Sequence, residues 1–173
     1  MDLQLALPLR RAAEDMRITQ PFGVNPDAYA QFGMRGHNGL DLDAEDGELV
    51  VAIDEGEVVE VRFDAAGYGV TVKLSHPWGE SRYGHGQRYS VPIEFELGHI
   101  VSQGERIFLA DSTGNSTGTH LHLGLRIRQD DGSLDYSNTN GFWGYEDPLP
   151  YLREALGQTA TAILSRRGGR GRG

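Results

Sequence analysis

The sequence predicts a mainly β protein, a compact and largely antiparallel sheet domain with one C-terminal helix, and three observations carry that expectation. Between positions 120 and 127 apolar and polar side chains alternate with a period of two, so that Leu121, Leu123, Leu125 and Ile127 share one face and His120, His122, Gly124 and Arg126 the other. The same alternation runs from Val70 to Leu74, with Val70, Val72 and Leu74 opposed by Thr71, Lys73 and Ser75. The 24 glycines suit frequent turns between short strands, and no helical period separates the strands to make parallel crossovers.

Residues 1–16 read as a lead-in that packs against the body, and 17–23 as a strand stopped at Pro21. A loop of more than a dozen residues follows to Gly36; that length suggests a wall of a binding groove, with Tyr29 and Phe32 either lining it or anchoring the loop. Residues 37–43 and 48–53 are extended and are separated by a turn at 44–47. Residues 57–63 and 70–76 are the arms of a hairpin around 64–69, and the strand at 80–85 delivers His85. Residues 98–104 read as a polar turn region and 106–110 as a short buried strand. Residues 104–114 echo 47–56 with one extra residue, so two similar strand-turn units are expected to pack together. After a turn at 130–133 comes a glycine- and aromatic-rich loop at 136–145. Asp147 and Pro148 then open a helix over 150–164, with Leu149, Leu152 and Leu156 at helical spacing.

Composition excludes several classes of function. The net charge is −9, and without the tail arginines 166, 167, 170 and 172 the body holds 12 basic against 25 acidic residues, or −13, which argues against nucleic acid as a partner. The basic tail, 165–173, reads as a disordered, solvated terminus. No run of 18 apolar residues exists to span a membrane, and the N-terminal stretch lacks the basic region and cleavage site of a secretion signal. With no cysteine, any metal must be held by histidines and carboxylates.

Chemistry concentrates in two segments. His120 and His122 point the same way about 7 Å apart along a strand, given a rise of roughly 3.3 Å per residue. His37 and Asp41 share parity in an extended segment whose Leu40 and Leu42 face the opposite side. Nitrogen and oxygen donors of this kind suit zinc, and three protein ligands leave a fourth position open, the arrangement of a catalytic site.

A His and an Asp four apart, a His after Tyr83-Gly84, and the His-x-His pair at 120–122 together resemble the zinc endopeptidases of the lysostaphin and LytM type, the M23 peptidases. The resemblance runs from Ile18 to Arg128 and takes in the glycine-punctuated stretches 47–56, 67–69 and 112–118. It implies an antiparallel sheet whose floor carries the site and whose walls are groove-forming loops, within a peptidase domain spanning 17–164. It implies His37, Asp41 and His122 as ligands of one zinc ion per chain, with His85 and His120 as the pair of non-ligand histidines beside it. The implied substrate is the peptide of bacterial peptidoglycan, cut in its cross-links or stems, and the protein is expected to be a monomer. Without a leader peptide, the resemblance fits a lysin encoded by a phage better than a secreted autolysin.

No Glu accompanies the His-x-His pair, so His85 and His120 are the groups available to take a proton from water and to donate a hydrogen bond to the tetrahedral intermediate; the sequence leaves their order open. Tyr68, Tyr83 and Asn115 are candidate substrate-binding residues, and Trp78 and Trp143 are further candidates for the groove, with packing as the alternative for each aromatic ring. Asp43, Asn115 and Thr119 are candidates for orienting the ligands, or serve as turn and surface residues. His76 reads as a strand-end residue at the groove edge and His99 as a turn residue. Three rival functions stand beside the peptidase. A wall-binding domain on the same fold would have a degraded site, and the polar positions are intact. A lipoyl-type carrier needs a lysine in a hairpin turn, and Lys73 lies mid-strand. A serine hydrolase built on Ser116 lacks a nucleophile elbow.

Overall fold

Period-two alternation becomes sheet. In the computed structural model, which describes residues 3–157, the chain runs β1 (Ile18–Gln20), α1 (Pro26–Tyr29), β2 (Leu40–Asp43), β3 (Leu49–Val51), β4 (Gly56–Asp64), β5 (Gly69–His76), β6 (Gly79–Gly86), β7 (Ile100–Val101), β8 (Arg106–Leu109), β9 (His120–Ile127) and α2 (Leu149–Leu152). Seven strands form one sheet in the order β1-β2-β9-β6-β5-β4-β7, and β3 pairs with β8 in a second, two-stranded sheet. Every pairing of the named strands is antiparallel. The β3-β8 pair joins the two strand-turn units whose sequences echo one another.

Register places the site. In the β2-β9 ladder Leu40 faces Leu123, Asp41 faces His122, and Asp43 faces His120. On the far side of β9, Gly84 of β6 also faces His122. The alternate residues Leu121, Leu123 and Leu125 are fully buried, as are Val72, Leu74, Val50, Ile107 and Phe108. One apolar cluster runs from Leu5 and Leu9 in the lead-in to Leu152 and Leu156 near the C-terminal end, and it lies behind the floor that carries the histidines.

Several details depart from the sequence reading. Residues 98–104 are not only a turn: Ile100 and Val101 form β7, which closes the free edge of β4. The long loop after β1 contains α1 and a 3-10 turn at Ala30–Phe32. The C-terminal helix is the single turn α2, followed by turns to Gly157, whose φ of 58° is left-handed. Leu152 and Leu156 still reach the core as their spacing predicts. The rest of that expected helix, 158–164, and the tail, 165–173, lie outside the described residues.

Tyr83 does not face the groove. Parity on β6 turns it inward, where it is fully buried and its hydroxyl accepts the Ile53 N–H at 2.9 Å and lies 3.2 Å from the Ser81 hydroxyl. His76 is likewise internal rather than at a groove edge. Its Nδ1 donates to the Glu55 carbonyl at 2.7 Å, its Nε2 lies 2.7 Å from Ser81 Oγ, and burial pushes its pKa down. Trp78 stacks on it at 4.4 Å and donates to Asp54 at 2.8 Å, so this ring too is packing and not a groove wall. Replacing Tyr83 by Phe strands the buried Ile53 N–H, so the unfolding free energy should fall by about 1–3 kcal/mol in denaturant titrations with metal content unchanged. Unchanged stability would contradict this placement.

Candidate metal centre

Local sequence sets each donor. His37 precedes β2 and its Nδ1 donates to the Pro21 carbonyl at 3.1 Å, which leaves the Nε2 lone pair free. That Nε2 lies 3.1 Å from Asp41 Oδ1 and 3.0 Å from His122 Nδ1, and His122 Nδ1 is 3.0 Å from the same Asp41 oxygen. Among the described residues this is the group of three or more such side chains that could share a metal ion, and all three are buried. The close approach depends on Gly39, where a Cβ would stand 2.5 Å from His122 Cε1.

A metal fits this triangle. Bonds of roughly 2.0–2.1 Å to zinc in tetrahedral geometry put donors about 3.3–3.4 Å apart, so an outward shift of about 0.3 Å would seat the ion. Three acceptor atoms this close repel one another unless a proton or a cation lies among them. The charge states suit the cation. Burial would raise the Asp41 carboxyl, but the adjoining His122 and His37 imidazoles outweigh it and hold the group below the usual carboxylate range. Burial pushes His122 down to about 3 despite the Asp41 bond, so its ring is neutral at physiological pH. A carboxylate and neutral imidazoles are the forms that bind a metal.

The other two histidines stand beside the triangle. His85 and His120 have ring centroids 4.5 Å apart, and His85 lies 6.2 Å from the His122 ring. His85 adopts a φ of 65°, a left-handed conformation that costs a non-glycine residue about 1–2 kcal/mol. Three bonds hold it there: its N–H to the Tyr68 carbonyl at 2.7 Å, its carbonyl to the Asp111 N–H at 3.1 Å, and its Nδ1 to the Thr113 carbonyl at 2.7 Å. His120 Nδ1 donates to the Gly118 carbonyl at 2.8 Å, and its Nε2 lies 3.6 Å from Asp41 Oδ2. With Nδ1 donating to a carbonyl, each ring in its one-proton form presents an Nε2 lone pair. Burial pushes His85 down, with neighbouring His120 acting in the same direction.

The structure thus brings together His37, Asp41, His122, His85 and His120. Tyr68 joins them, its ring 4.8 Å from His122 and its hydroxyl exchanging hydrogen bonds with Asn38 at 2.8 and 3.0 Å. Tyr29 stands on the other flank, 5.5 Å from the His37 ring, with its hydroxyl accepting from Gln20. Asn115 is exposed; its backbone N–H bonds to the Gly67 carbonyl, and its side chain makes none of the hydrogen bonds of the centre. Neither Asp43 nor Thr119 orients a ligand: Asp43 is exposed, and the partners of the histidines are the carbonyls of Pro21, Thr113 and Gly118. Sequence reading missed Asn38 and Gly39; their signal is position, since both lie between His37 and Asp41.

The depressed pKa of His122 fixes a pH dependence. The unfolded ring takes a proton below about pH 6.5, whereas the folded ring refuses it until about pH 3, so the metal-free protein loses stability as pH falls through that window. With a chelator present, the parent should lose up to about 3 kcal/mol more between pH 6.5 and 4 than His122→Asn, read from urea midpoints. Equal slopes would contradict a neutral, buried His122.

Comparison with known proteins agrees with this geometry. The model of peptidase family M23 matches residues 35–135. A metalloprotease of Haemophilus influenzae is 36% identical over 121 residues, which cover 69% of this chain and 24% of that protein. A peptidoglycan DD-endopeptidase of Vibrio cholerae is 32% identical over 93 residues, covering 53% and 21% respectively. The chain therefore spans about a quarter of the length of these relatives. The solved catalytic domain of the antimicrobial peptidase lysostaphin from Staphylococcus simulans superposes with a TM-score of 0.63 at 26% identity, covering 82% of this chain and 95% of that one. With the family match extending over more than half of its length and the His and Asp positions gathered at one point, the chain belongs to peptidase family M23.

Proposed function

We propose that the protein is a zinc metalloendopeptidase that hydrolyses peptide cross-links or stem peptides of bacterial peptidoglycan. The observation that carries this reading is the buried triangle of His37, Asp41 and His122 with the His85-His120 pair alongside. Kinship with a peptidoglycan endopeptidase and with the lysostaphin catalytic domain supports the substrate class. Zinc, held by His37, Asp41 and His122, supplies the positive charge that polarises the scissile carbonyl and acidifies water.

The chain's own groups then divide the work. His120 is the proton acceptor: its Nε2 faces Asp41 Oδ2 at 3.6 Å, so the imidazolium formed gains a carboxylate neighbour, and it returns that proton to the departing amine. His85, kept neutral by burial and by proximity to a protonated His120, offers its Nε2 as an acceptor that orients the attacking water. Because both Nδ1 protons go to carbonyls, a donor role towards the oxyanion requires one of these rings to be protonated.

Zymography on purified cell walls should show clearing that a chelator abolishes and zinc restores, with new amino termini found by mass analysis of the released fragments. His120→Ala should retain one zinc per chain and lose about 10²- to 10⁴-fold in turnover, whereas His122→Ala should lose metal and activity together. Clearing that persists in chelator, or a His120→Ala protein with parent turnover, would overturn the reading.

A further inference from the structure

Two residues past His122 on the same face of β9, about 7 Å along the strand, the floor changes character. Gly124 carries no side chain there, and its cross-strand neighbour on β6 is Arg82. Arg82 is more than nine-tenths buried, and its guanidinium lies between two aromatic faces, 4.4 Å from the Tyr68 ring centroid and 5.0 Å from that of Tyr145. Its Nε is shut off from solvent with no hydrogen-bond partner. The Tyr145 hydroxyl is in the same state, in a residue only 2% exposed, as is His122 Nε2. Tyr145 leans over Gly124, where a Cβ would stand 2.9 Å from the tyrosine ring and 3.6 Å from His122 Nε2. With a cation on Nδ1 the His122 Nε2 carries a proton, so three buried polar atoms able to donate lie on this stretch of floor without a hydrogen-bond partner.

The neighbouring carboxylates face other cations, although Glu60 Oε1 is buried without a hydrogen bond of its own. Glu80 accepts Arg126 at 3.1 Å on one oxygen and the Tyr136 hydroxyl at 2.7 Å on the other. Glu60 pairs with Lys73 at 3.2 Å and Arg62 at 3.6 Å. The flanking rings stabilise the Arg82 charge but leave its buried Nε without an acceptor, which is unfavourable. With a net charge of −9 the chain does not attract anions in general, so a cation held this way is selective for one that fits.

We propose that Arg82, with the Tyr145 hydroxyl beside it, receives a carboxylate carried by the substrate peptide within one or two residues of the scissile bond. The proposal rests on the peptidase reading and narrows it: the preferred substrate is a stem-type peptide with a free carboxylate next to the cut, rather than a neutral bridge. The planar guanidinium fork matches a carboxylate, and the distance from Gly124 to the metal ligands sets the spacing. Tyr68, stacked between Arg82 and His122, links the two parts of the floor.

Calorimetric binding of acetyl-Lys-D-Ala-D-Ala and of its C-terminal amide to the zinc-loaded protein tests this without requiring turnover. The parent should bind the acid about 10- to 100-fold more tightly than the amide. Arg82→Gln should lose that preference while keeping its affinity for the amide and its zinc content. Tyr145→Phe keeps the ring packing and should lose part of the preference. Equal affinity of the parent for acid and amide, or no binding of either, overturns the proposal. Cleavage of walls without preference for the acid would leave the peptidase standing and remove Arg82 from its specificity. Acid-selective binding by a protein that cleaves no wall material would do the reverse.

Discussion

Everything at the centre depends on the register of β2 against β9. Asp41 faces His122 because Leu40 faces Leu123 and Leu42 faces Leu121, so the apolar pairs that build the core also set the polar pair in front of it. A slip of one residue would turn the leucines to solvent and the donors into the core, so the hydrophobic effect enforces the metal geometry more strongly than the donors could. Gly39 and Gly84 then let neighbouring backbone close around the His122 ring, and the Pro21 carbonyl selects the His37 nitrogen that faces the cluster.

The same ladder explains why charged and strained groups persist at this spot. Close donors, a carboxylate held ionised against its burial, and a left-handed His85 are each unfavourable alone. They persist because a continuous apolar cluster from Leu5 to Leu156 anchors the strands that present them. Along β9 and β6 the floor passes from donors with lone pairs, at His122, to donors with protons, at Arg82 and Tyr145, within one pair of alternate positions. A peptide lying along it would meet the hydrolytic centre and a cationic receptor in sequence.

Much of this was legible in the sequence, and the reason is parity. Alternation placed His120 with His122 and His37 with Asp41, and the glycine-bounded echo between 47–56 and 104–114 foretold the β3-β8 pair. What remained hidden was of two kinds. The partners that orient the histidines are backbone carbonyls at Pro21, Thr113 and Gly118, which carry no residue-type signal. Tyr83, His76 and Trp78 looked like groove residues because they are polar aromatics near strand ends. Only the packing shows that Ser81, Asp54 and the Glu55 carbonyl satisfy them on the core side. Arg82 was silent for a related reason: an arginine in a strand is ordinary until its buried Nε is seen to make no hydrogen bond.

The proposed chemistry requires that His37, Asp41 and His122 hold one cation and leave a position open. X-ray absorption at the zinc edge of the loaded protein tests it most directly. One zinc per chain is expected, bound by two imidazole nitrogens and one carboxylate oxygen at about 2.0–2.2 Å, with a further light-atom ligand not drawn from the protein. A first shell with a third imidazole, or zinc bound with unchanged spectrum after Asp41→Ala, would contradict it.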